Sequence, residues 1–186
     1  AKTALADLGK VDVGEIEELW HALKPPYSDL FAWLTGEGDK PKADALTLFR
    51  PLMLAHPLDD KELEALNWTD YCIEWKWDGA RVQLSSDGDT VALYSRSGDS
   101  LTAAFPEYQD LKFKGVLDGE LLAYDEQGQL SFNGLQQRLN RKTVSKKLLE
   151  QHPTRIRLYD CLFEGTQDIR QQPLRARKQA LARLQA

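Results

Sequence analysis

The sequence has little cysteine, no long apolar run and no overall basic excess, and each shortage removes a class of protein. Two cysteines in 186 residues, Cys72 and Cys161, are too few for a disulfide scaffold. They lie far apart, without CxxC or Cys/His spacing, so no zinc site is expected. Each sits in an apolar stretch and reads as a buried, reduced thiol of a cytosolic protein. No apolar stretch reaches the length of a membrane span, no signal-peptide pattern is present and no internal repeat is found. The formal net charge of −5 argues against a uniformly basic nucleic-acid binder.

What is present is enough for one domain with its own core. Hydrophobic residues make up 42% of the chain and charged residues 28%, which argues against disorder. The mean charge hides an asymmetry. Residues 1–133 hold 12 Lys/Arg and 25 Asp/Glu, whereas residues 134–186 hold 12 Lys/Arg and 4 Asp/Glu. The last third could therefore face a polyanion while the rest does not, although solvated basic helices would look the same. A start at Ala1 rather than Met, and a helical pattern running to the last residue, suggest a piece of something longer.

Residues 12–35 predict two short helices. Ile16, Leu19, Trp20 and Leu23 form the first apolar face, Pro25-Pro26 ends it, and Ser28 can cap a second bearing Leu30, Phe31 and Leu34. The polar, breaker-rich "TGEGDKPKAD" at 35–44 reads as a linker, which sets an expected boundary between residues 1–44 and 45–186. From residue 71 the period changes to two. Strands are expected at 71–77, 80–85, 90–95, 115–124 and 155–163, with turns at "SDGD" and "DEQGQ". Helical patterns cover 133–151, broken near Thr143, and a closing helix opened by Pro173. The fold class is mixed α+β with antiparallel hairpins, not the alternating rhythm of a parallel sheet.

The stretch "CIEWKWDGARVQL" puts four ionisable groups into an apolar run. On a strand, alternate side chains share a face, so Glu74, Lys76 and Asp78 would point one way and Trp75 and Trp77 the other. Gly79 permits a turn that brings Arg81 back toward the same place. Such alternation alone is ordinary on a half-exposed strand. The full pattern E-x-K-x-D-G-x-R is not: at typical residue usage it arises by chance roughly once in 10⁴ chains of this length.

That pattern resembles the nucleophile motif of the covalent nucleotidyltransferases, namely ATP-dependent DNA ligases, RNA ligases and mRNA capping enzymes. The resemblance implies that Lys76 attacks the α-phosphate of a nucleotide. To do so its amine must lose a proton, which neighbouring cations such as Arg81 and Mg²⁺, and a partly dry site, would favour. Asp78 would hold the lysine, and Glu74 would recognise the base. Three further stretches are similar to ATP-dependent DNA ligases in order and spacing. "YSRSGDSLT" supplies Arg96 for the ribose, "VLDGELLAY" supplies Glu120 for ribose or metal, with Asp118 on the same face, and "RLYDCLFEG" supplies Tyr159 to stack on adenine. The "FNGLQQRLNRK" helix and the closing "PLRARKQAL" extend the resemblance over about residues 49–186.

The resemblance implies a partial nucleotidyltransferase (adenylation) domain of antiparallel sheets with flanking helices at 45–186. Residues 1–44 would be the helical tail of an N-terminal DNA-binding domain. It implies ATP and Mg²⁺ as cofactors and nicked duplex DNA as partner, in DNA repair, replication or recombination. Arg138, Arg141, Lys142, Lys146 and Lys147 would contact the DNA backbone. The organisation is most similar to bacterial ligases encoded beside a helicase and a nuclease, implying a monomer of the cytoplasm and nucleoid. The E-G-x-x-x-K motif, K-x-K motif and OB-fold domain that the family carries downstream of the closing helix do not follow that helix before Ala186. The segment by itself is therefore expected to adenylate Lys76 weakly or not at all. An RNA ligase, a capping-type enzyme or a non-catalytic nucleic-acid-binding module remain as alternatives.

Overall fold

The computed structural model describes residues 1–125, 127–139 and 141–185, the side chain of Gln185 excepted. Glu126, in the expected "DEQGQ" turn, and Asn140, in the expected helical stretch, lie outside the described residues.

Three short helices come first: α1 (Lys2–Gly9), α2 (Val13–Trp20) and α3 (Ser28–Thr35). Ala6, Ile16, Leu19, Leu30 and Leu34 bury against one another and make a small core of their own. Helix α2 begins where Asp12 accepts a 2.7 Å hydrogen bond from the Gly14 amide, a capping contact that satisfies one free donor. Ser28 does not cap α3. The chain enters through Tyr27 at φ 60°, which places Ser28 inside the first turn. Helix α1 was not visible as a pattern. Nor was α4 (Asp60–Ala65), although its capping box, Asp59 with Glu62, was written in the sequence.

The rest is one antiparallel sheet in the order β2-β1-β3-β4-β5. Its strands are β1 (Ala80–Asp87), β2 (Val91–Ser95), β3 (Lys114–Ala123), β4 (Thr154–Glu164) and the two-residue β5 (Gln167–Asp168). Helices α5 (Phe132–Leu139), α6 (Lys146–Gln151) and α7 (Leu174–Gln185) complete the chain. The interruption expected near Thr143 falls before Ser145, which caps α6 through the Leu148 amide.

Register sorts the side chains into two faces. Leu84 opposes Leu117 and Val82 opposes Gly119 across β1 and β3. Val82, Leu84, Leu117 and Leu121 join Leu135 of α5 and Ala180 and Leu181 of α7 in the main core. Each large side chain buried there contributes about 1.5–3 kcal/mol. The other face carries Arg81, Gln83 and Ser85 on β1, and Asp118 and Glu120 on β3. Gln83, fully buried, pairs its amide with the Arg50 backbone in both directions, at 2.7 and 3.0 Å, and Ser85 donates to the Leu48 carbonyl. Side chains thus stitch the irregular 45–50 segment across this second face.

One expected strand is absent. Residues 71–77 have no regular structure and are almost wholly exposed. Both edges of β1 are taken by β2 and β3, and no described strand is paired with 71–77, although β4 lies near it through Arg157 and Tyr159. Without a partner the segment's N–H and C=O groups have no ladder, so its strand-like pattern does not suffice.

Candidate active site

A cavity of about 820 Å³ opens on the second face of the sheet, within the range of sites for small ligands. Its floor is a buried ion pair. The Arg81 Nε lies 3.2 Å from both Asp118 oxygens, and its Nη2 contacts Oδ2 more closely while donating to the Met53 carbonyl at 2.8 Å. Burial pushes the Asp118 carboxyl above its ordinary value and outweighs the pull of Arg81. Burial also opposes the charge on Arg81, but the hydrogen bonds it donates to Asp118 hold its pKa raised. Glu120, opposite Arg81 in the register, is half-buried, and its carboxyl too is raised by burial against the pull of Arg81 and Lys76. Tyr159 of β4 lies with its ring 5.9 Å from the Arg81 guanidinium, and burial drives its phenol well above the ordinary range.

The fold explains why these groups meet. Gly79 leads into β1 with no room for a side chain: a Cβ there would lie 2.4 Å from the Leu121 carbonyl oxygen. Only glycine lets the chain pass this close before turning Arg81 inward. On β4 the neighbour of Tyr159, Asp160, is held by Arg177 of α7 at 2.9 and 3.1 Å. This second ion pair, and the Met53 carbonyl, escaped the sequence reading, because nothing local in "PLRARKQAL" says which carboxylate Arg177 will meet.

Glu74, Lys76 and Arg96 supply the rim. All three line the cavity together with Arg81, Glu120 and Tyr159. Lys178 of α7 contacts both the Glu74 carboxylate and the Tyr159 carbonyl, tying the exposed segment to β4. Lys76 is exposed and close enough to Glu120 to stabilise its charge. Arg96 projects from the turn after β2 and is exposed.

Several expectations need correction. Asp78 is exposed in the bend before β1 and does not line the cavity. Trp75 and Trp77 do line it, beside Glu74 and Lys76, so the expected two-faced sorting fails along with the strand. Trp75 is 84% exposed instead of anchored, while Trp77 lies under the Arg157 guanidinium at 5.3 Å. Cys72 is exposed for the same reason; Cys161 is buried as expected, and burial raises its thiol to about 12. Arg138 is not available to DNA. It is fully buried, donates to Glu107 at 2.7 and 2.8 Å and to the Ala104 and His152 carbonyls, and stacks on Phe105. A guanidinium so enclosed has no face left for a phosphate. Arg141, Lys142, Lys146 and Lys147 are exposed, with Lys146 3.9 Å from Glu150.

The arrangement offers an amine, two guanidiniums, one free carboxylate and an aromatic face around one cleft. Among the described residues no three His, Cys, Asp or Glu side chains cluster as a self-sufficient metal cage. Glu120 is the carboxylate left over, since Asp118 is committed to Arg81. One carboxylate suits Mg²⁺, which binds through one or two carboxylates plus the phosphates of its substrate. No helix among the described residues is long and apolar enough to cross a membrane.

A family model described as "ATP dependent DNA ligase domain" matches residues 52–185. The chain is 34% identical over 149 residues to "DNA ligase 2" of Haloquadratum walsbyi, covering 75% of this chain and 24% of that protein. It is 32% identical over 145 residues to "Probable DNA ligase" of Koribacter versatilis, covering 75% and 25%. The chain thus spans about a quarter of the length of these relatives. Among solved structures, mycobacterial DNA ligase D complexed with ATP and MES aligns at 28% identity and a TM-score of 0.47, over 60% of this chain and 36% of that one.

Proposed function

Given that the chain belongs to the ATP-dependent DNA ligase domain family, we propose that it is the nucleotide-binding part of an ATP-dependent DNA ligase and that Lys76 is its nucleophile. The observation that carries this is the convergence of Glu74, Lys76, Arg81, Arg96, Glu120 and Tyr159 on one cleft. The deprotonated Lys76 amine attacks the α-phosphorus of ATP, forming an N–P bond as the bond to pyrophosphate breaks. The AMP then passes to the 5′-phosphate of a nick, and the 3′-hydroxyl displaces it to join the strand. Tyr159 stacks on the adenine, Glu74 accepts from its amine, and Arg96 holds the ribose. Arg81 supplies positive charge at the floor. Glu120 would hold Mg²⁺ jointly with phosphate oxygens; that ion, when bound, spreads developing negative charge.

Residues 45–186 are read as the first part of an adenylation domain and residues 1–44 as the tail of a DNA-binding domain. Arg141, Lys142, Lys146 and Lys147 are proposed to touch nicked-DNA phosphates, which predicts salt-dependent, sequence-blind contacts. The organisation resembling bacterial ligases encoded beside a helicase and a nuclease supports a monomeric enzyme of the cytoplasm and nucleoid acting with such partners. The test is incubation of a longer protein carrying this segment with labelled ATP or GTP and Mg²⁺, followed by peptide mapping. ATP alone should label Lys76, and nicked DNA should discharge the label into sealed product. A label that survives Lys76→Ala, or one taken from GTP, would overturn the assignment. Residues 1–186 alone are expected to bind ATP yet label weakly.

A further inference from the structure

The helical unit does not merely precede the sheet; it touches the turn that carries Arg96. Glu18 and His21 are one turn apart at the end of α2, so they share a face, opposite Ile16 and Leu19 in the helical core. They meet the adjacent residues Phe49 and Arg50. Glu18 sits between two guanidiniums, contacting Arg170 closely and Arg50 at 3.5 Å. Both guanidiniums also lie over the Phe163 ring, at 5.0 and 5.3 Å. His21 meets Phe49 edge-on at 4.7 Å, and Phe49 meets Tyr94 the same way at 5.8 Å. This puts the imidazole against the turn after β2.

The turn is bonded within itself, but its side chains, Arg96 apart, are small and mostly exposed, so its packing support comes from outside. It is held by Gly98 N–H to the Ser95 carbonyl at 3.0 Å, Ser95 N–H to the Asp99 carbonyl at 2.9 Å, and small hydroxyl contacts. Gly98 sits at φ +85°, and a Cβ there would lie 2.3 Å from His21 Cε1 and 3.0 Å from Phe49 Cδ1. The glycine is thus pressed against the imidazole, one wall of the turn. Arg96 and Ser97 line both the main cavity and a smaller one of about 280 Å³ shared with His21, Phe49, Lys2 and Glu17.

We infer that His21 is a positioning residue for the nucleotide site: docked by the Glu18 clasp, it buttresses the Ser95–Asp99 turn and so fixes Arg96 toward the ligand. The inference rests on the reading of the cleft as an ATP site. An exposed arginine on a solvent-facing turn loses affinity to the entropy of ordering it, and a packed ring behind the turn lowers that cost beyond what the turn's own hydrogen bonds do.

A double-mutant cycle in the full chain tests this. His21→Ala should weaken ATP binding about fivefold and Arg96→Ala about tenfold or more, as for loss of a charged hydrogen bond. Acting through Arg96, His21→Ala should add nothing in the Arg96→Ala background. His21→Phe, which keeps the edge-on contact, should bind like wild type. Additive losses, or no loss from His21→Ala, would overturn the inference. Amide exchange without nucleotide gives a second measurement. The Gly98 and Asp99 amides should exchange faster in His21→Ala, and also in Glu18→Arg, which repels both clasping arginines. Unchanged protection there overturns the inference independently. A wild-type chain that fails to bind ATP instead overturns the reading of the cleft, and the exchange result then decides the role of His21.

Discussion

The two halves of the cleft are built differently. The floor, Arg81 with Asp118 and Tyr159, lies on paired strands, with Asp118 1% exposed and every donor on Arg81's inner edge used. The arm that carries Lys76, residues 71–77, has no paired strand, and Ile73 and Trp75 are 80% and 84% exposed. The floor therefore belongs to the fold, while Lys76, the proposed nucleophile, hangs beside it, tied mainly through Lys178 to Glu74. An electrostatic environment can be preorganised on strands at no cost when the ligand arrives.

The sharpest way to break this contrast is to remove one partner of the floor. Arg81→Met leaves Asp118 buried and uncompensated, and should destabilise the chain by about 3 kcal/mol in a urea titration. A loss below about 1 kcal/mol would mean that water reaches the pair and that the floor is no more fixed than the arm.

A smaller effect separates the floor from its margin. Glu120 holds its proton more tightly in the folded chain than in the unfolded one, because burial opposes its charge. Between the ordinary carboxylate value and the raised folded value, the folded chain binds more protons, so this contribution to stability falls as pH rises through that interval. It is fully present only below the ordinary value. Glu120→Gln carries no charge to bury. The variant should match wild type in strong acid and exceed it near neutrality by a fraction of a kcal/mol, since solvent screens a half-exposed carboxylate. Equal stability at every pH would place Glu120 in bulk-like solvent.

Sequence made the floor legible and the arm illegible for one reason. Period-two patterns at 80–85, 90–95, 115–124 and 155–163 found strands because each has a hydrogen-bonded neighbour, and Asp118 and Glu120 fell on one face as i, i+2 spacing requires. The pattern at 71–77 is as strand-like as these, but a strand is a relation between two segments, and alternation reports only one of them. Arg138 was misread for a similar reason. Basic residues of α5 and α6 look alike in sequence, and only the packing of Phe105 and Glu107 beneath α5 separates the buried arginine from its exposed neighbours. His21 carried no signal at all, because its partner at Gly98 lies on the far side of a linker.

The arm itself should respond least. Trp75→Ser removes a large aromatic side chain, a change that costs about 3–5 kcal/mol in a packed core. Here the ring is open to solvent, so within residues 1–186 the change should fall within about 0.5 kcal/mol. Amides at 72–77 should exchange nearly unprotected, whereas those of Val82 to Ser86, bonded on both sides by β2 and β3, should exchange only with global unfolding. A stability loss above about 1 kcal/mol, or slow exchange at 72–77, would show that the arm finds a partner in solution and that the two halves of the cleft share one scaffold.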